Sequence, residues 1–268
     1  MKTLRKVMVM AAVLALLAAA VPDTARAQDT RGNIMLVWNK AFMEDTGILN
    51  SSFGLYYMRP IGGFELDFHL PFALYDPDQD GVDGESALGN PRIGLNKYNE
   101  GSPLMYRAGV RLPLAPDDKT GAHMVGQLSD PFYMGTWYAK AVSVDAGAAY
   151  FKNSMEGLGY WLSLGLEVVY DTDAPDGADS TEFFLPFTLA GTYPLGSGTL
   201  MAGLAGSYWV SEDDGYAGDN PAYLMAGVGF KTALGKLRPE VWLGLPLSSD
   251  YSDLVDFLLT IGIGFGIP

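Results

Sequence analysis

Cysteine is absent and histidine occurs only twice, at His69 and His123. The first absence excludes disulfide frameworks, thiolate nucleophiles and Cys-ligated zinc, and the second leaves few places for imidazole chemistry. Basic residues are scarce as well, 17 Lys+Arg against 31 Asp+Glu, which makes nucleic acid an improbable partner. Beyond the N-terminal segment no apolar run approaches the roughly twenty residues of a spanning helix. Yet 49% of the residues are hydrophobic and 33 are glycine. The apolar residues must therefore follow some pattern other than a long helix.

The N-terminal segment reads as a cleaved export signal. Lys2, Arg5 and Lys6 precede the apolar run Val7 to Ala20, and Ala25-Arg26-Ala27 offers the small residues that a signal peptidase reads. Cleavage is expected before Gln28, leaving residues 28–268 as the working chain, with 13 basic against 30 acidic side chains and a net charge of −17.

The pattern in the remainder has period two, as a two-faced strand writes it. From Leu158 to Tyr170 the even positions are all apolar or aromatic, and the odd positions include Gly159, Ser163, Gly165 and Glu167. Phe64 to Phe72 alternates with Glu65, Asp67 and His69, and Tyr106 to Leu114 alternates with Arg107, Gly109 and Arg111. Tyr160 and Tyr170 share one apolar face ten residues apart, as do Phe183 and Tyr193. Ten residues of a tilted strand rise roughly 25 Å, the height of the lipid-facing band between the aromatic girdles of an outer-membrane barrel. Runs of ten to fourteen residues also exceed the strands of small soluble sandwiches, about five or six residues long.

The spacing predicts an all-β chain: a single antiparallel transmembrane β-barrel of twelve strands, with ten and fourteen as neighbouring counts. The strands are expected at 32–43, 50–59, 63–75, 89–98, 104–115, 137–152, 158–170, 182–194, 199–210, 222–232, 237–247 and 254–267. Short connections alternate with long ones, and the long ones carry most of the acid, so they are expected outside and both termini on the periplasmic side. The connection 116–136 is long enough to hide a plug, a short helix or a folded-in loop. Outer-membrane lipid, lipopolysaccharide and the barrel-assembly machinery are the partners that this architecture requires.

The stretch Ala87 to Tyr98 followed by Ser102 to Pro116 resembles a hairpin of the MetA-pathway phenol-degradation family of outer-membrane barrels. The resemblance rests on Gly89, Asn90, Pro91, Gly94, Leu95, Lys97, Tyr98, Leu112 and Pro113. It covers about thirty residues and implies passive uptake of small compounds, hydrophobic or aromatic ones among them, with no reaction. The chain departs from the family at Asp117-Asp118-Lys119, where a Thr-Gly step is usual, and at Phe265-Gly266-Ile267-Pro268, where an aromatic end is common.

The inward face is expected to carry Glu65, Asp67, His69, Arg92, Arg107, Arg111, Asp145, Glu167, Arg238 and Glu240. Acids and arginines on adjacent strands point either to a salt-bridge ladder that fills the barrel or to a constriction that selects solutes. Inward glycines, Gly94, Gly109, Gly227 and Gly229 among them, make room for bulky neighbours such as Trp161, Trp209 and Trp242 or for a passage.

In the loop after the third strand, Asp76, Asp78, Asp80, Asp83 and Glu85 are spaced as in calcium loops, with Gly81 at the turn position, but Ala87 replaces the closing bidentate glutamate. Calcium at the outer surface stands as the candidate, against a solvated acidic loop. No other cofactor is implied. His69 and His123 lack the arrangements of the barrel phospholipases and surface proteases, and His123 is expected to face solvent. The sequence therefore reads as a passive transporter or narrow channel. The competing class is a non-conducting structural or surface-binding barrel with acidic outer loops.

Overall fold

The computed structural model describes residues 32–43, 50–77, 83–98, 102–152, 157–174, 180–211 and 222–267. The expected leader and several loop tips, Asp78 and Asp80 among them, lie outside the described residues.

A strand whose alternate residues are apolar hides that face from water, and a barrel does so by turning it to lipid without leaving a sheet edge. The described strands are β1 (Asn33–Phe42), β2 (Ser51–Ile61), β3 (Phe64–Tyr75), β4 (Glu85–Leu88), β5 (Arg92–Tyr98), β6 (Leu104–Arg111), β7 (Ala141–Lys152), β8 (Gly159–Asp171), β9 (Thr181–Leu195), β10 (Gly198–Trp209), β11 (Ala222–Thr232), β12 (Leu237–Pro246) and β13 (Phe257–Gly266). Every pairing is antiparallel between neighbours, and β1 pairs with β13 from Asn33↔Gly266 to Phe42↔Phe257, which closes the cylinder. β4 and β5 both pair with β3, so the two segments occupy one position and the barrel has twelve.

The outward face is the apolar one. Leu36, Leu55, Ile93, Leu95, Leu164 and Ile263 are exposed on it, as are the girdle residues Tyr170, Phe183 and Tyr193. Tight turns join the strands at one end, where Gly62, Gly196 and Gly235 each take a positive φ that disfavours any side chain. We refer to this as the turn end and to the opposite end as the loop end.

The expected strands that flank the long inward connection are cut short for a physical reason. Gly89-Asn90-Pro91 interrupts the fourth position, and beside it β6 stops at Arg111 rather than continuing to residue 115. From Leu112 the chain turns inward, its N–H bonded to the Pro91 carbonyl at 3.0 Å, and returns to the wall only at Ala141. Between them lies helix α1 (Thr120–Ser129), packed inside the loop end, so 116–136 is a folded-in loop with a short helix. Gly126 lets α1 rest on the Trp137 ring, where a Cβ would come within 2.4 Å of the indole. Leu128 joins Ala41, Met225, Tyr251, Val255 and Leu258, and Tyr251 donates to the Leu128 carbonyl at 2.5 Å. A small apolar core thus fills the loop end of a barrel whose larger apolar surface faces outward.

Candidate functional site

The seat of the inward loop is Asn90, completely buried at the break between β4 and β5. Its amide Nδ2 donates toward the carbonyls of Gly135 (2.8 Å), Tyr138 (2.7 Å) and Ala141 (3.3 Å), and its Oδ1 accepts from the Ala115 N–H at 2.8 Å. Its backbone N–H donates to the Thr136 carbonyl at 2.7 Å. One side chain therefore ties down both limbs of the loop, and Gly89 beside it must lack a side chain, since a Cβ would sit 2.6 Å from the Thr136 carbonyl oxygen. The alternation predicts a strand that starts at this Gly-Asn-Pro motif. In the fold it interrupts the wall and anchors the plug.

Below the loop lies the charged cluster. Arg92 (β5) engages Asp145 (β7) in a bidentate pair, Nε to Oδ2 and Nη2 to Oδ1, both at 2.7 Å, and its Nη1 also meets Asp67 (β3). The sequence suggested pairing between adjacent strands, yet Asp145 is two strands away from Arg92. Glycine permits it, because a Cβ at Gly94 or Gly109 would fall 2.4 or 2.5 Å from the guanidinium. These two glycines thus make room for an arginine, whereas Gly227 and Gly229 make room for Trp242 as expected.

Arg111 (β6) repeats the two-strand reach, with Nη1 at 3.1 Å from Glu167 Oε1 (β8) and 3.5 Å from Asp145 Oδ2. Ser143 donates its hydroxyl to the same Glu167 oxygen at 3.1 Å. Tyr133, on the inward loop, offers its ring to Arg111 at 4.8 Å and Arg107 at 5.3 Å. Arg107 makes that cation–π contact in place of an ion pair among the described residues. Asp67, Arg92, Asp145, Arg111 and Glu167 form one continuous ladder across the lumen wall, and Tyr133 lies under its two neighbouring arginines.

The other candidates fall into separate places. His69 is stacked on Tyr56 with ring centroids 4.1 Å apart, in space left by Gly54. Glu65 accepts from Asn96 Nδ2 at 3.1 Å and from the Tyr98 hydroxyl at 3.3 Å, nearer the turn end. Arg238 and Glu240 line a turn-end cavity of about 440 Å³ and take no part in the ion pairs of the ladder.

The acidic loop gives a different result. The Asp76 backbone N–H donates to Asn50 Oδ1 at 2.6 Å, and Glu85 Oε2 accepts from the Ala122 N–H at 3.2 Å. Glu85 therefore satisfies a donor in the first turn of α1, where the helix dipole favours a carboxylate. No group of three or more potential metal ligands forms among the described residues.

His123 corrects an expectation. It lies on the face of α1 that packs into the barrel and is buried, its Nε2 without a hydrogen-bond partner among the described residues, while the adjacent Met124 points outward and is exposed. Burial lowers its pKa from the usual imidazole value. Asp130, just past the helix, is pushed the other way to about 6, mainly by burial, with Arg111 opposing and Glu167 reinforcing the shift. Asn90, Tyr133 and Asp130 are the participants that sequence reasoning missed. The signal for Asn90 was present in Gly-Asn-Pro, whereas nothing in a loop sequence marks Tyr133 or Asp130 as facing inward.

No family model and no curated protein matches the sequence. Solved structures do. The COG4313 outer membrane channel from Pseudomonas putida F1 superposes with a TM-score of 0.63 at 15% identity, covering 92% of this chain and 100% of that one. LpxR from Salmonella typhimurium gives 0.52 at 11% identity, over 88% of this chain and 100% of that one. At these identities the likeness establishes the fold, a small outer-membrane type of barrel, and the site must be argued from its own residues.

Proposed function

We propose that this chain is an outer-membrane passive transporter or narrow channel for small solutes, with the seated loop 112–140 and the Arg92 ladder as the barrier that solutes pass. The observation that carries the reading is how the lumen is filled. The middle of the barrel holds guanidinium and carboxylate groups from five strands, under a loop that Asn90 ties at both limbs and that packs through its helix on a small apolar cluster. Charges in a narrow passage meet solutes by the same pairing rules that govern selectivity filters.

Supporting it are the leader-like N-terminus, the apolar outer belt and a fold shared with a protein described as an outer membrane channel. Within this reading the turn end faces the periplasm and the acidic loops face outward. The resemblance of the Gly-Asn-Pro hairpin to the MetA-pathway phenol-degradation barrels supports compounds that are small and hydrophobic or aromatic. The ladder then sorts solutes without chemistry on them.

The ladder also favours a second reading, a non-conducting barrel, because Arg111, Asp145 and Glu167 are at most 2% exposed. Planar-bilayer recording of the refolded mature chain separates the two. Discrete openings whose size or lifetime changes in Arg92→Ala support transport, and a silent bilayer for both proteins supports the structural barrel.

A further inference from the structure

The turn-end cavity is unlike the ladder above it. Its volume of about 440 Å³ lies within the roughly 300–1,000 Å³ span typical of small-molecule sites. One side is apolar, with Met35 and Met58, and another carries Lys231, Arg238 and Glu240. Lys231 stands opposite Glu240 in the β11–β12 register, whereas Arg238 forms no ion pair among the described residues. Arg238 rests against Gly264, where a Cβ would lie 3.2 Å from its own Cβ. A glycine there accommodates the Arg238 stem on the cavity wall.

Two further wall residues carry covered polar atoms without partners among the described residues, Asn33 Oδ1 and Ser197 Oγ. Polar atoms in that condition cost free energy unless something bonds to them, and both residues line the cavity. The local charge is +1, from two cations and one anion, within a chain whose formal charge is −14. A cationic pocket in so acidic a protein is a local construction rather than a sample of the background field.

We propose that this cavity binds a small carboxylate with an apolar body, its carboxylate on Arg238 with Ser197 or Asn33 and its body against Met35 and Met58. An arginine presents paired N–H donors that match a carboxylate, which favours it over a spherical anion. The site stands whether or not solute crosses the ladder, so it goes beyond the channel reading.

The test is equilibrium dialysis of labelled hexanoate against the mature barrel in an uncharged detergent, with detergent alone subtracted. One saturable equivalent is expected, weakened at least tenfold in Arg238→Gln and less in Lys231→Gln, with hexanamide competing at least tenfold more poorly than unlabelled hexanoate. Met58→Glu, which places a carboxylate in the apolar wall, should abolish binding and serves if Arg238→Gln fails to fold. The proposal is overturned if binding is not saturable, if Arg238→Gln and Met58→Glu leave it unchanged, or if hexanamide or inorganic phosphate competes as well as hexanoate. Bilayer recording on the same preparation keeps the two ideas apart. A conducting barrel that does not bind hexanoate removes this site alone, and a silent barrel that binds it removes the channel alone.

Discussion

At the loop end of the lumen, Arg111, Asp145 and Glu167 are almost completely buried beneath a loop that folds back into the barrel. At the turn end, Lys231, Arg238 and Glu240 surround an open cavity, and the strands there are joined by tight glycine turns. Both sets sit on the same inward face and arise from the same alternation. The difference lies in the connections: a long connection can be spent on covering charge, and a two-residue turn cannot. Covered charges must then find partners, and here the partners come from two strands away across glycine. Uncovered charges remain accessible to solutes.

The largest effect expected from breaking this contrast is at Asn90. Asn90→Ala removes the hydrogen bonds to both limbs of the loop, and with buried groups left unsatisfied at about 1–3 kcal/mol each, the cost is several kcal/mol. Thermal melting should fall clearly while heat-modifiable mobility persists, because no β-ladder depends on this side chain. A melting temperature unchanged by Asn90→Ala would show that the helix and its apolar contacts seat the loop unaided.

Next comes a matched pair of arginine and lysine changes. Arg111→Met strips Glu167 of its cationic partner in a buried setting, a class of change that costs about 3–5 kcal/mol, whereas Lys231→Met at the accessible end should cost less than about 1 kcal/mol. Denaturant titration of both variants measures the difference. Equal losses would mean that the two ends are equally exposed in solution.

A smaller effect should follow pH. The folded-state pKa of Asp130 is raised to about 6 from 3.8, so its contribution to stability is fully present below about 4 and is lost as pH rises through 6. His123, lowered in the folded state, works in the opposite sense: its contribution is present above 6.5 and is lost as pH falls. Asp130→Asn should remove the component that weakens the loop between pH 4 and 7, leaving the histidine's dependence visible. Melting temperatures of the parent and this variant across that range decide it, and parallel curves would mean that Asp130 is hydrated.

The strand map was legible in the sequence because period-two alternation persists wherever one face meets lipid. Leu164 and Glu167 already told opposite faces apart. Arg92, Arg111, Asp145 and Glu167 were recognisable as inward charges by the same count. Their pairing was not, because it depends on what Gly94 and Gly109 omit, and an absent side chain has no direction to read. His123 reads as solvent-facing because loops usually meet water, a rule that fails for the face of a loop that enters a lumen. Asn90 falls within the strand expected at 89–98, and only the folded chain brings Gly135, Tyr138 and Ala115 around it.

The smallest expected effect concerns the acidic loop. With Glu85 bonded to the first turn of α1, calcium should raise the melting temperature no more than sodium at matched ionic strength. A specific gain with calcium, lost in Asp76→Asn with Asp83→Asn, would establish the cation site and assign Glu85 two tasks.

The pairing of β1 with β13 bears on how the protein can be made. Residues 33–42 find their second partner only in residues 257–266, so the ribosome must finish nearly the whole chain before the first strand's free side can be matched. Until then, two unmatched borders and an apolar surface coexist in one polypeptide, and premature termination anywhere upstream leaves that condition permanent. Truncated products should therefore be found with holdase chaperones or as degradation fragments, never as smaller working versions of the same molecule.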